Sequence, residues 1–268
     1  MTPCLHLHIL ASGSKGNAAL VEGPQGMLLV DCGISRKQLL LRAGELGLDM
    51  DHVLATLVTH EHSDHVAGLS VWCNRWEGAL YATAGTAGAR KHLARLPFTL
   101  IGREESFCVG GIEVTTFPTS HDVAEPCGFR FSCGDDAIGW CTDTGLLTPR
   151  ALEQLAGVRI LGLESNHDVM MLKQGPYPAY LKARILSAQG HLSNDQAAEA
   201  LPELVGPDTE TVVALHISQE NNQPSLAVRT LAEALGAEAA NATFTEARTP
   251  DGRVSVIAAG QDRPLSVW

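Results

Sequence analysis

Thr59-His60-Glu61-His62-Ser63-Asp64-His65 sets four side chains able to give nitrogen or oxygen to a metal, His60, His62, Asp64 and His65, within six residues. Neutral imidazoles and a carboxylate are the ligands that divalent zinc, manganese and iron accept. Such density suits neither a surface helix nor a core strand, and the ordinary alternative is a polar loop that happens to be rich in histidine. Three histidines and an aspartate exceed what one tetrahedral ion takes from a single loop. The preceding run, 53–58, is short, apolar and β-branched at both ends, which predicts a buried strand; 66–76 predicts a helix. The ligands then fall at a strand-to-helix junction, where function gathers in α/β folds.

Upstream of this stretch, strands are predicted over 5–11, 18–22 and 27–30, a β-meander. The loop between the first two, Ser12-Gly13-Ser14-Lys15-Gly16-Asn17, has small side chains and N–H groups that can approach a phosphate, but not the spacing of a Walker loop. A plain hairpin turn fits it equally well. Asp31 ends the third strand, where a buried carboxylate is costly unless paired. It either orients a ligating histidine or is a turn aspartate. Ser35 is placed to cap a helix over 36–46.

Downstream, a strand over 79–82, a helix over 86–96 and a hairpin over 107–117 lead to His121. Strands over 129–132 and 137–141 end in Asp143, and one over 158–163 ends in Glu164-Ser165-Asn166-His167-Asp168. Five strands thus end in Asp31, His60, His121, Asp143 and Glu164, which predicts that one edge of a sheet collects the chemistry. The remainder carries helices over 179–187, 195–204 (capped by Ser193 or Asn194) and up to 235. A strand over 211–215 ends in His216, and a last strand lies near 254–258. With no internal repeat, low-complexity tract or linker, residues 1–268 are read as one domain.

Bulk composition narrows the classes. Hydrophobic residues make up 45% and charged residues 18%, so a large core is available. Acidic residues outnumber basic by 30 to 19, a formal charge of −11, which argues against a passive basic surface that coats nucleic acid. A nuclease is not excluded, because bound dications bring positive charge to the scissile phosphate. Seven cysteines without a CxxC pair suggest neither a disulfide framework nor a cysteine zinc site, and no apolar run approaches membrane-spanning length. The reading is a cytoplasmic protein without membrane contact. His6, His8, His52 and His92 serve as controls; His6 and His8 imitate an HxH pair on the first strand, but no carboxylate follows at ligand spacing.

The order His60-x-His62-x-Asp64-His65, His121, Asp143, His216 resembles the metallo-β-lactamase fold superfamily. Ser12-Gly13-Ser14-x-Gly16-Asn17, Glu164-Ser165-Asn166-His167-Asp168, Tyr177-Pro178, Gly190-His191-Leu192-Ser193-Asn194 and His216-x-Ser218-x-x-Asn221-Asn222 extend the resemblance, over nearly the whole chain, to the bacterial YycJ/WalJ branch. It implies an α/β fold, a four-layer αβ/βα sandwich of two mixed sheets flanked by helices, without the inserted domain of β-CASP nucleases. It also implies two divalent metal ions, zinc or manganese with iron also acceptable: His60, His62 and His121 on one, Asp64, His65 and His216 on the other, Asp143 between them. The implied activity is 5′-to-3′ exonuclease action in DNA processing, on DNA rather than RNA. Residues 190–200 are similar to the proton-donor region of ribonuclease Z, which implies a catalytic pair of His191 and Glu164 beside Asp64 and Asp143.

Two dications roughly 3.5 to 4 Å apart can hold a hydroxide between them that attacks a phosphodiester. Asp143 either bridges the ions or acts as general base. His191 either protonates the leaving oxygen, held by Glu164, or packs at a helix start. His167 is a phosphate contact or a partner for Glu164. Ser12, Ser14, Asn17, Asn166, Ser218, Asn221 and Asn222 are hydrogen-bonding candidates for the substrate. Two other classes remain: a hydrolase of a small thioester or lactam, which has no need of the Glu164/His191 pair, and a diiron redox protein or non-catalytic metal binder.

Overall fold

The computed structural model describes residues 3–268. In chain order the strands are β1 (His6–Ala11), β2 (Ala18–Gly23), β3 (Gly26–Val30), β4 (Val53–Leu57), β5 (Ala79–Thr83), β6 (Phe98–Ile101), β7 (Ser106–Val109) and β8 (Ile112–Pro118). Then come β9 (Cys127–Cys133), β10 (Asp136–Cys141), β11 (Ile160–Glu164), β12 (Thr211–Leu215), β13 (Glu238–Ala239), β14 (Glu246–Arg248), β15 (Ser255–Ala258) and β16 (Leu265–Val267). The helices are α1 (Arg36–Glu45), α2 (Ser63–Val66), α3 (Leu69–Cys73), α4 (Ala84–Gly88), α5 (Pro149–Leu155), α6 (Val169–Gln174), α7 (Ala179–Ile185), α8 (Asn194–Leu204) and α9 (Pro224–Leu235). The chain forms two compact units.

The first unit runs to Pro118 and adds Val123–Ala137 and Gln261–Trp268. It holds a mixed sheet of order β16-β1-β2-β3-β4-β5-β6, antiparallel from β16 to β3 and parallel from β3 to β6. β7, β8 and β9 pair antiparallel. The residues of β3 from Met27 on are all buried and β4 nearly so, as expected of parallel strands covered on both faces. In place of the predicted helix over 66–76, α2 ends at Val66 and α3 covers Leu69–Cys73; at Gly68 between them a Cβ would stand 2.0 Å from the Ile34 carbonyl oxygen. The predicted helix over 86–96 is likewise α4 and a 3₁₀ turn at Leu93–Arg95; Ala-Gly-Thr-Ala-Gly is a weak helix former.

The second unit comprises Thr119–Asp122 and Ile138–Gly260. Its mixed sheet has β10, β11, β12 and β15 parallel, with β14 and β13 added antiparallel at the far edge. α8 and α9 pack on each other, and α9 also covers β14 and β15. Ser193 caps α8 through a reciprocal capping box with Gln196, which resolves the choice between Ser193 and Asn194. Contrary to the expectation of one sheet edge, each unit has its own: β3 and β4 deliver Asp31 and His60 in the first, while β10, β11 and β12 deliver Asp143, Glu164 and His216 in the second. β16, which pairs with β1, and the short β13 and β14 escaped the sequence reading because strands this short carry no period.

Candidate metal centre

In the first unit the ligand loop is pinned by backbone drawn from elsewhere in the chain. Asn17 N–H donates to the Asp64 carbonyl at 2.7 Å, Cys32 N–H to His65 O at 2.8 Å, and Gly68 N–H to Cys32 O at 2.8 Å. Gly33 allows this approach: a Cβ there would lie 1.7 Å from the Asp64 carbonyl oxygen. Asp31, fully buried, accepts Thr59 N–H at 2.9 Å and the Thr59 hydroxyl at 2.9 Å, and takes His65 Nδ1–H at 2.7 Å. The same hydroxyl lies 3.0 Å from His60 Nδ1. Asp31 therefore orients a candidate ligand and is no mere turn residue. Glu61, which reads as a spacer in sequence, is buried and accepts Ala124 N–H at 2.8 Å, tying the loop to the strap before β9.

The Asn17 side chain closes its own loop, its Oδ1 accepting Gly13 N–H at 2.8 Å, and its amide nitrogen stands 3.0 Å from His65 Nε2. Ser12 is buried, whereas Ser14 is exposed.

In the second unit the centre is Glu164, fully buried at the end of β11. Its Oε1 accepts Nδ1–H of His191 at 2.8 Å and of His216 at 3.0 Å; its Oε2 accepts the backbone N–H of Thr144 at 2.9 Å and of Leu192 at 3.1 Å. Burial pushes this carboxyl up, but the His191 charge and the bonds from His191 and His216 outweigh it and hold the pKa down at about 2. Asp143, Glu164, His191 and His216 form one compact cluster, with ligand atoms within 4.8 Å of one another. His121 Nδ1–H donates to the Gly190 carbonyl at 2.9 Å, and burial keeps its ring toward the neutral form that binds metal, against the pull of Asp143.

The donor set fits divalent metal. Ligating imidazoles characteristically give their other N–H to a carboxylate or carbonyl, which leaves the free lone pair aimed at the ion. His65 on Asp31, His216 on Glu164 and His121 on Gly190 O all show that pattern at Nδ1. Backbone conformation points to the same residues. Asp31 (φ 60°), Asp143 (φ 53°) and His216 (φ 52°) are three of the four non-glycine residues with left-handed φ among those described, the fourth being Phe244. Such conformations are sparse outside glycine and gather at functional sites.

The polar residues around Glu164 form scaffolding. Asn166 donates to the His216 carbonyl at 2.8 Å, the Ser165 hydroxyl to Asn194 Oδ1 at 2.7 Å, and Asn222 to the Ser165 carbonyl at 3.0 Å. Ser218 Oγ accepts Asn221 N–H at 3.1 Å. His167 is buried, and neither ring nitrogen has a hydrogen-bond partner among the described residues; it makes no hydrogen bond to Glu164. Burial, only partly countered by Glu164, lowers its pKa to about 4. Thr59, Thr144 and the Gly190 carbonyl position candidate ligands yet escaped the sequence reading. Adjacency of Thr59 and Thr144 to the ligand motifs was the one available signal. Of the controls, His8 is buried, between Ser266 Oγ at 2.8 Å and Glu22 Oε2 at 3.0 Å, a packing residue.

Residues 27–217 match the family model of the β-lactamase superfamily domain, and the chain belongs to that family. It is 37% identical over 237 residues to exodeoxyribonuclease YycJ of Bacillus anthracis, covering 86% of this chain and 89% of that protein. It is 36% identical over 235 residues to exodeoxyribonuclease WalJ of Streptococcus pneumoniae serotype 2, covering 85% and 87% respectively. The crystal structure of the metallo-β-lactamase fold protein YhfI from Bacillus subtilis superposes with a TM-score of 0.69 at 12% identity, over 98% of this chain and all of that one. The α/β fold with mixed sheets flanked by helices is thus the metallo-β-lactamase fold. Among the described residues no helix is long and apolar enough to cross a membrane.

Proposed function

We propose that the protein is a metal-dependent phosphodiesterase of the exodeoxyribonuclease type that digests DNA from its 5′ end. The observation that carries this reading is the buried Glu164 carboxylate shared by His191 and His216. A thioester or lactam hydrolase has no use for that pair. The names of the two curated relatives support a DNA substrate.

In this proposal His60, His62 and His121 would hold one divalent ion and Asp64, His65 and His216 a second, with Asp143 a candidate ligand to either. When bound, the ions supply Lewis acidity toward the phosphoryl oxygens and water acidic enough to react near neutral pH. Zinc and manganese both suit the donors. Asp31 and Glu164 lock His65 and His216 in the tautomer with the lone pair on Nε2. His191, fixed through Nδ1, presents Nε2 as the donor of the proton that the leaving oxygen needs. Asn166, Ser218, Asn221 and Asn222 hold the loops of His191 and His216 in register, and Ser14 and His167 remain as candidate phosphate contacts. The seven cysteines are all free, which supports a reducing compartment.

The test is nucleotide release from 5′-phosphorylated DNA and from RNA with added manganese; turnover of a thioester or lactam with neither polymer cut sinks the reading. His191→Ala is expected to lower kcat by roughly 10²- to 10⁴-fold, the span of general acid catalysis, with bound metal unchanged. Loss of metal in that variant would remove its role as proton donor.

A further inference from the structure

The chain is acidic, yet no aspartate or glutamate occurs between Asp168 and Asp195, while Lys173, Lys182 and Arg184 do. The same stretch carries most of the apolar surface that the second unit leaves exposed. Met170 is 58% exposed, Tyr180 76% and Leu186 42%; Leu146, just beyond Asp143, is the unit's other large exposed apolar side chain among the described residues. Lysines, an exposed aromatic ring and no acid along one stretch of chain form a combination that holds single-stranded nucleic acid, the ring taking a base and the cations the backbone. Neither a water-facing helix nor an ordinary core helix asks for it.

This surface is also built into the candidate site. The Ile185 carbonyl accepts His191 N–H at 3.0 Å, the Ala188 carbonyl accepts the Ser120 hydroxyl at 2.7 Å, and the Gly190 carbonyl accepts His121 Nδ1–H. Arg184 pairs with Asp122, next to His121. Lys182 Nζ donates to the Lys173 carbonyl at the end of α6 at 2.8 Å, which ties α7 to α6. A strand held here lies within a few residues of both His121 and His191.

Resting on the nuclease reading, we infer that α6, α7 and the turn between them form the docking surface for the end of a single DNA strand, with a base stacked on Tyr180 and phosphates at Lys173 and Lys182. Three proteins decide it: wild type, Tyr180→Ala and the double variant Lys173→Ala/Lys182→Ala. Each is assayed for hydrolysis of bis(p-nitrophenyl) phosphate, for digestion of a 5′-phosphorylated single-stranded oligonucleotide, and for oligonucleotide binding across a salt series. Tyr180→Ala is expected to raise the oligonucleotide KM and Kd by roughly 5- to 100-fold, the worth of one stacked base. The double variant should flatten the slope of log K against log salt by about 1.4, at about 0.7 per phosphate contact. Hydrolysis of the small ester should be unchanged in both. DNA cut by all three with unaltered KM and salt slope overturns the inference alone. An ester cleaved by a wild type that neither binds nor cuts DNA overturns it together with the nuclease reading. A wild-type dimer that Tyr180→Ala dissociates, with DNA binding untouched, gives the surface to a second copy instead.

Discussion

At the scale of single residues, the chain spends carboxylates on holding imidazoles. Asp31 and Glu164 are both fully buried, where an unpaired charge would be untenable, and both are saturated with donors. His167 is the counter-case, a buried ring without a hydrogen-bond partner among the described residues and with its pKa lowered from 6.5 to about 4. Because the folded pKa is the lower one, the unfolded chain binds the extra proton, so this proton-linked loss is absent above about pH 6.5 and grows as pH falls toward 4. The loss approaches about 3 kcal/mol at the low end and is about 2 kcal/mol at pH 5. Denaturant titrations of chelator-treated protein at pH 7 and pH 5 should therefore differ more for the wild type than for His167→Gln; equal losses would count against this cause. Sequence made Asp31 and Glu164 visible as carboxylates at strand ends, but could not say which histidine each would hold.

At the scale of elements, parallel strands deliver the chemistry and tight backbone contacts aim it. β3 and β4 in one unit, and β10, β11 and β12 in the other, stop within three residues of Asp31, His60, Asp143, Glu164 and His216. These strands were legible because buried parallel strands read as unbroken apolar runs. The short helices after them were not. α2, α3 and α4 run to only four or five residues: at Gly68, between the first two, backbone lies against backbone, which no local pattern encodes, while α4 is the weak helix former Ala-Gly-Thr-Ala-Gly. Gly33 is the sharpest instance. Gly33→Ala forces a Cβ against the Asp64 carbonyl, so the ligand loop must shift. The expected result is a loss of several kcal/mol of stability, within the range of strained backbone substitutions, or a folded protein with weakened metal affinity. Thermal melts and metal analysis of the variant distinguish these, and a variant with unchanged melting and metal content contradicts the role given to Gly33.

At the scale of the whole molecule, a charge of −11 sets the terms on which a polyanion is met. Attraction must come from bound dications and from local cationic side chains such as Lys173 and Lys182, so both binding and turnover of DNA should fall steeply with salt and with chelation. Chelation has a second readout. An ion that binds only the folded chain adds RT ln(1 + [L]/Kd), about 2.7 kcal/mol at a hundredfold excess over Kd. For a chain of this size that corresponds to a melting temperature lower by roughly 5 to 10 °C after EDTA, restored by added manganese or zinc. Melting indifferent to EDTA in protein shown to have lost its metal would argue against metal held by folded-state ligands.

What the amino-acid order alone determined was the inventory: a dense histidine–aspartate loop, His121, Asp143 and His216 at later strand ends, Glu164 and His191 in motifs of their own, and hence the family. Local periodicity and ligand chemistry suffice for that, since they depend on neighbours a few residues apart. Only the tertiary structure decided how each group is held. Thr59, Gly33 and Asn17 brace the ligand loop, Glu164 serves two imidazoles at once, and Asp31, Asp143 and His216 take left-handed backbone to turn their side chains. Those arrangements rest on hydrogen bonds between segments tens of residues apart, and a chain read a few residues at a time carries no record of them.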